Sequence, residues 1–204
     1  MRPSQTPEFF DAAPRIAMHD ALAQTLGAVA DGVIDYGYVD AVKLAGHSCP
    51  TVAGAWLMTR AALRRLYPET LPERGGLRVE LRDAEDAGVT GVIAGVAGLV
   101  TGAAGAGGFH GLAGRHARRG LLRYAVPMRG EMRFTRLDSG AAVEVSHHAQ
   151  AVPRPPTLTA LMQAALAPGA DGAARAAFGA VWQGWVRAML LEHADDPALI
   201  RIED

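Results

Sequence analysis

The most regular hydrophobic pattern in the chain runs from Pro50 to Leu66, where apolar residues recur at the three- and four-residue spacing of a helix. Proline is favoured at the first position of a helix, so Pro50 marks its start. Pro68 follows the last apolar position and stops the pattern. The spacing therefore predicts a helix over residues 50–66.

Helical spacing recurs in four other segments. They cover residues 20–29, 89–100, 158–166 and 173–193. Asp20 is placed to cap the first of these helices with its carboxylate. Pro168-Gly169 separates the last two, which are expected to form a helical C-terminal part.

Strand patterns appear between the helices. Apolar and charged residues alternate over 77–82, which is typical of a half-buried strand. Three more strands are predicted over residues 120–126, 131–137 and 141–146. The last two are joined by Asp138-Ser139-Gly140, a short hairpin signal, which indicates an antiparallel portion of sheet.

Residues 33–42 are β-branched and aromatic but contain Gly37, so a strand and an irregular segment both remain open there. Taken together, the elements predict one α+β domain over residues 1–204, with a mixed or antiparallel sheet and flanking helices. The core is expected over about residues 15–150. A helical extension is expected over 151–204, after a stiff proline-rich connector.

The charge balance argues against a nucleic-acid partner, because the formal net charge is −1 and no surplus of basic residues is available for phosphates. Cys49 is the only cysteine, so no intrachain disulfide is expected. The first fourteen residues lack the basic start and apolar run of a secretory signal. A cytoplasmic protein is therefore predicted.

An uncharged stretch over residues 87–114 is long enough to span a membrane. It contains ten glycines, each of which would destabilise a long helix by roughly 1 kcal/mol relative to alanine. We interpret it as a buried helix followed by a glycine-rich loop, and we expect no membrane partner.

Candidate chemistry is concentrated in Gly46-His47-Ser48-Cys49-Pro50. The thiol of Cys49 stands at the start of the predicted helix, where unpaired N–H groups and the helix dipole favour a thiolate. The imidazole of His47 is close enough in sequence to share one metal ion with that sulfur. The alternative is that Cys49 merely caps the helix and that His47 is a hydrogen-bonded loop residue.

The stretch from Lys43 to Gly54 resembles the signature of the FmdE domain family, which takes its name from a component of formylmethanofuran dehydrogenase and typically has Gly-His-x-Cys-Pro-Gly at residues 46–51. The resemblance continues to Leu99-Val100-Thr101-Gly102 and fades beyond Val126. It implies an α+β fold, a homodimer and a divalent metal, usually zinc. The metal ligands would be the histidine and cysteine that match His47 and Cys49.

Part of the family's ligand set is missing. Ala45 and Ala103 stand where many relatives have a histidine and a cysteine. The glycine-rich loop offers His110 as the first replacement ligand and His116 as the second. An exposed loop position is the alternative for His110.

Three other groups belong to the same hypothesis. Gly46 and His110 are expected to contact a cofactor, because glycine lets the backbone come close to a ligand. Asp40 is the preferred general base or partner of a metal ligand, and the alternative is that it caps a turn. His147-His148 alternates sides of a predicted strand, so only one of the pair can face a cavity.

Three functions follow from this set. The first is a metal-dependent enzyme acting on a small molecule, with Cys49 and Asp40 as catalytic residues. The second is a binding or delivery protein for a metal or metallocofactor, haem among them. In the third, Cys49 is a metal-free nucleophile activated by His47 and the helix terminus.

Overall fold

The computed structural model describes residues 6–203. Its helices are α1 (Phe9–Ala12), α2 (Ala21–Thr25), α3 (Tyr38–Ala45), α4 (Pro50–Leu66), α5 (Thr90–Thr101), α6 (Leu158–Leu166) and α7 (Gly172–Arg187). Its strands are β1 (Ile16–His19), β2 (Val33–Tyr36), β3 (Leu77–Leu81), β4 (Leu122–Arg123), β5 (Met132–Arg136), β6 (Ala142–His147) and β7 (Ile200–Glu203). A 3₁₀ turn covers Ala149–Ala151, and a π turn over Ala188–Glu192 continues α7.

Five strands form the main sheet, in the order β4-β3-β5-β6-β7. β3 and β4 are parallel, and every other neighbouring pair in this sheet is antiparallel. β1 and β2, which are connected through α2, form a separate two-stranded antiparallel sheet. The predicted α+β class with a mixed sheet and flanking helices is therefore confirmed.

α4 is the central helix of the core and packs against both α5 and β6. Its side chains are buried around most of its circumference, and Val52, Trp56 and Met58 have no exposed surface. The indole N–H of Trp56 donates to the backbone oxygen of Pro14 at 2.9 Å, which satisfies its one polar group. Tight packing on several sides leaves α4 little freedom to shift.

α4 and α5 run in the same direction across the sheet. At the end of α5, the oxygen of Thr101 accepts a hydrogen bond from Gly75 N at 2.7 Å, just before β3 begins. At the end of α4, the oxygen of Leu66 accepts from the guanidinium of Arg136, which is paired with Leu77 at the start of β3. Both helices therefore end beside the start of β3 and begin at the opposite end of the molecule.

Several sequence predictions are confirmed. The helices over 50–66 and 158–166 have the predicted bounds, and the strands near 77–82, 131–137 and 141–146 differ by a residue at their ends. Asp20 caps α2 as predicted, since its carboxylate accepts hydrogen bonds from Leu22 N and Ala23 N. The uncharged stretch forms α5 and a loop. Among residues 6–203, no helix is both long enough and apolar enough to cross a membrane.

Other predictions were incomplete or wrong. The helix expected over 20–29 ends at Thr25, and Gly27 follows with a φ of 71°. The strand expected over 120–126 is only Leu122–Arg123. The ambiguous residues 33–42 form β2 and the beginning of α3. β1 and β7 were not predicted.

Candidate functional site

The turn between α3 and α4, residues 46–49, carries the candidate chemistry. Gly46 ends α3 with a φ of 76°, a left-handed conformation that glycine adopts without strain. No described atom beyond its chain neighbours lies within 4 Å of the position where a Cβ would be, so the glycine is needed for its backbone angle. The predicted cofactor contact at Gly46 is therefore an open surface position.

His47 is exposed, and its Nδ1 lies 2.9 Å from the backbone oxygen of Ala45. A carbonyl oxygen can only accept, so Nδ1 is the atom that carries the proton in this contact. The lone pair of the neutral ring is consequently on Nε2. This is the arrangement in which metal-binding histidines are commonly held, with one ring nitrogen bonded to a backbone carbonyl.

Cys49 is the N-cap of α4, and its Sγ accepts a hydrogen bond from Val52 N at 3.5 Å. The side chain is partly buried and the thiol is free. The capping contact is the one that the alternative interpretation of Cys49 expected. The same contact fixes Sγ at the start of α4, beside the turn that carries His47.

Ser48 attaches this turn to the rest of the molecule. Its side chain is 8 % exposed, and its Oγ lies 3.0 Å from the Oη of Tyr38, which is completely buried. Burial raises the pKa of Tyr38 above its ordinary value, so the phenol stays protonated. The backbone oxygen of Ser48 accepts from the indole of Trp182 at 2.9 Å and from the amide of Gln183 at 3.1 Å.

Trp182 and Gln183 are site residues that the sequence pattern does not signal. The ring of Trp182 packs edge-on against Trp185. Its hydrogen bond to Ser48 spans 134 residues, and no local pattern signals it. α7 therefore helps to hold the candidate turn in place.

His147, the last residue of β6, packs against α4 near this turn. The Cβ of any larger residue at Gly54 would overlap its imidazole ring. Burial, with a smaller contribution from His148, lowers the pKa of His147 to about 4, so the ring is neutral near pH 7. Its Nε2 is buried without a hydrogen-bond partner within the described residues, as is the Oε1 of Gln183.

His110 lies elsewhere. Its Nδ1 faces the guanidinium of Arg119 at 3.1 Å, inside the glycine-rich loop that follows α5. That loop starts where α5 ends, whereas Cys49 stands where the parallel helix α4 begins. His116 belongs to the same loop and shares this placement.

The carboxylate of Asp40 makes its contacts within α3 and at the start of that helix. Its Oδ2 accepts the N–H of Gly37 at 3.0 Å, which caps α3, and its Oδ1 lies 3.9 Å from Nζ of Lys43. These are capping contacts, as the alternative interpretation of Asp40 expected, although the element that it caps is a helix and not a turn. The structure does not place its carboxylate in a contact with His47 or Cys49.

Over residues 6–203, no group of three or more His, Cys, Asp or Glu side chains is arranged to hold a metal ion. The trio of His47, Cys49 and His110 inferred from the sequence is thus not assembled within one chain. The part of the donor set that fits a metal is the pair in the turn, an imidazole and a thiol two residues apart.

No match to this chain was found among family models, curated proteins or solved structures. The fold and the site themselves define an α+β protein. It presents a His and a Cys on a turn that is held by α3, α4 and α7.

Proposed function

We propose that this chain is a metal-binding protein that holds a divalent cation, zinc in the first instance, through Nε2 of His47 and Sγ of Cys49. The observation that carries the proposal is the hydrogen bond from Nδ1 of His47 to the oxygen of Ala45. It selects the tautomer in which Nε2 is the ligating atom. Two residues later Cys49 supplies a sulfur, a ligand that zinc prefers, at the start of α4.

The proposed site is open, because the turn supplies two ligands and tetrahedral zinc takes four. Open positions are typical of catalytic rather than structural zinc, so we propose a metal-dependent enzyme acting on a small molecule. When bound, the ion would supply Lewis acidity to a carbonyl or to a water molecule. The chain's own part is to orient the imidazole through the oxygen of Ala45, to place the sulfur at the start of α4 and to hold the turn in position.

The rigidity comes from contacts on both sides of the turn. Tyr38 and Trp182 hold the side chain and the backbone of Ser48 respectively, and Ser48 lies between the two ligands. Neither contact uses Nε2 of His47 or Sγ of Cys49, and the one hydrogen bond that Sγ accepts, from Val52 N, leaves it further lone pairs for a metal. The exposed Gly46 beside them leaves room for a small molecule to approach.

The test is the metal content of protein purified without chelators. Stoichiometric zinc or another divalent metal is expected in the wild type, and His47→Ala and Cys49→Ala should each lose it while remaining folded by circular dichroism. His110→Ala is the matched control: it also removes an imidazole, but at the other end of α5, and it should retain the metal. Wild-type protein that holds no metal even after reconstitution would overturn the proposal.

Cobalt substitution identifies the sulfur ligand. Cobalt bound by a thiolate gives a near-ultraviolet charge-transfer band, which should be present in the wild type and in His110→Ala and absent in Cys49→Ala. The same samples distinguish the delivery function, because a Soret band after haem addition that disappears in Cys49→Ala or His47→Ala would identify haem as the guest.

Cys49 as a metal-free nucleophile is the second candidate, favoured by the hydrogen bond from Val52 N to its sulfur. Iodoacetamide labelling separates the two functions. Labelling of Cys49 that is fast in metal-free protein and is blocked by added zinc supports the metal site. Labelling that is equally fast with zinc present supports the nucleophile instead.

A further inference from the structure

β7 is the last strand of the main sheet, and its one neighbour in the described part of the chain is β6. Four residues, Ile200 to Glu203, therefore present one side of their backbone outside the sheet. Ile202 is 38 % exposed on this open edge, where free backbone groups can pair with another strand.

The direction of each backbone group along β7 follows from two hydrogen bonds. His148 N donates to the oxygen of Leu199 at 2.8 Å, so odd-numbered residues of this segment face β6. Val145, the residue opposite Ile202, accepts from Glu131 N at 2.9 Å and so faces β5 instead. The N–H and C=O of Ile202 consequently both face away from the sheet.

Ile200 has the same orientation, but its N–H already donates to the oxygen of Asp196 at 3.0 Å. Within the described residues, Ile202 is thus the position on β7 whose two outward backbone groups are both unpaired. In an antiparallel ladder, a residue of this kind exchanges two hydrogen bonds with the residue directly opposite. If two copies of β7 pair about a two-fold axis centred on Ile202, the residue opposite Ile202 is Ile202 of the second copy.

We propose that β7 pairs with β7 of a second copy of this chain, antiparallel, with the two-fold axis between the two Ile202 residues. The two chains then exchange reciprocal Ile202 N–H to C=O hydrogen bonds, and the two five-stranded sheets form one continuous sheet. The proposal does not depend on the metal site.

The charges on β7 are complementary in this register. Arg201 and Glu203 flank Ile202 on the same face of the strand. With the axis at Ile202, Arg201 of each copy lies opposite Glu203 of the other copy. The pairing therefore gives two Arg–Glu pairs across the axis. Within one chain, the side chain of Arg201 is 65 % exposed, and its Nε lies 3.5 Å from Oε2 of Glu203. A second copy would add another Glu203 carboxylate beside each Arg201.

Ile200 and Ile202 lie on the other face of the strand. Ile202 borders an open groove of about 620 Å³ between β7 and α4, which is lined by apolar residues such as Ala61 and Ile200 and by the charged residues Arg64, Arg65, Asp195 and Asp196. The two copies of Ile202 would meet beside this groove. An arbitrary extended peptide could use the same edge, but the self-complementary order Arg-Ile-Glu favours a second copy.

Charge reversal tests the register. Sedimentation velocity on the full chain over a concentration series should show a dimer. Arg201→Glu and Glu203→Arg should each weaken the dimer by about tenfold or more, because each places like charges opposite each other twice. The double variant Arg201→Glu/Glu203→Arg restores opposite charges and should recover an affinity close to that of the wild type.

A cross-link tests the contact without relying on affinity. Hydrogen-bonded residues in an antiparallel pair have Cα atoms about 5.5 Å apart, which is within disulfide range. Ile202→Cys in a Cys49→Ala background should form an interchain disulfide under mild oxidation. Leu166→Cys in the same background is the control, since that position is 75 % exposed and lies on α6.

A monomer at every concentration would overturn the proposal, and so would a dimer that none of the charge variants weakens. A cross-link no faster at 202 than at 166 would also overturn it. Because the cross-linking background lacks Cys49, a failure of the metal site leaves this experiment unaffected, and the two proposals fail separately.

Discussion

The hydroxyl groups of Tyr38 and Ser48 lie 3.0 Å apart although the helix α3 separates the two residues in sequence. Tyr38 is packed edge-on between the rings of Phe10 and Trp56, with centroid distances of 5.2 Å and 6.2 Å. The contact therefore connects the turn that carries His47 to the aromatic part of the core.

We expect this hydrogen bond to contribute to stability. Tyr38→Phe and Ser48→Ala should each lower the free energy of unfolding by about 1 kcal/mol, because each leaves a buried hydroxyl or its site unpaired. The double variant should cost less than the sum of the two, by about 0.5–1.5 kcal/mol. Urea unfolding of the wild type, the two single variants and the double variant measures this coupling. A coupling of zero would show that the contact does not contribute to stability.

The elements that the sequence predicted well are those whose signals are local. α4 begins at a proline and has an uninterrupted helical spacing, and the β5–β6 hairpin has its turn residues in place. α3 was missed because Gly37 looked like an interruption. In the structure Gly37 is the N-cap of α3, and its N–H is satisfied by Asp40.

β7 shows what local patterns do not contain. Its four residues are too short for a periodic signal, and they form a strand because β6 is available to pair with them. The same holds for the candidate site. The turn with His47 and Cys49 is visible in the sequence, but the distance to His110 depends on α4 and α5 being parallel, which is a property of tertiary packing.

Gly54 should resist replacement by alanine. Alanine normally stabilises a helix relative to glycine by about 1 kcal/mol, but here its methyl group would overlap the ring of His147. Overpacking of this kind costs about 1–3 kcal/mol, so Gly54→Ala should lower the free energy of unfolding. Gly184→Ala is the matched control within α7, where no described atom obstructs the new methyl group. Chemical denaturation of both variants should therefore give changes of opposite sign, and equal changes would contradict the packing shown here.

Asp20 holds together parts of the chain that are far apart in sequence. Its carboxylate caps α2 and forms ion pairs with Arg74 at 3.0 Å and with Arg118 at 2.8 Å. The side chains of Asp20 and Arg118 are only 4 % and 7 % exposed. Asp20→Asn keeps the capping ability but removes the charge, so Arg118 is left buried without its counterion.

We expect Asp20→Asn to lower the free energy of unfolding by about 3–5 kcal/mol, the usual cost of breaking a buried pair from one side. Asp35→Asn is the control, because its pair with Arg15 is about half exposed, and it should cost no more than about 1 kcal/mol. Thermal and urea unfolding compare the two variants. Similar small losses in both would mean that Arg118 finds another partner.

Acid should weaken the same cluster. Burial alone would raise the pKa of Asp20, but the N–H of Ala23 and the guanidiniums of Arg74 and Arg118 outweigh it and leave the pKa below its ordinary value. The stabilisation is therefore complete above the unfolded value near 3.8 and is lost as the pH falls through the lower folded value. Asp20→Asn should lose this part of the acid dependence.

His147 predicts a second pH dependence, in a separate window. The unfolded chain takes up a proton at this residue near pH 6.5, whereas burial and His148 lower the folded pKa to about 4. Between these values the unfolded state binds more protons, so stability falls as the pH is lowered, with a slope of up to about 1.4 kcal/mol per pH unit. His147→Gln does not titrate, and its stability curve should lack this slope while running parallel to that of the wild type above pH 7. Urea unfolding at a series of pH values gives the difference between the two curves, in which all other titrating groups cancel. A flat difference between pH 6.5 and 4 would show that the folded protein protonates His147 as easily as the unfolded chain does, and that the ring is not enclosed against α4.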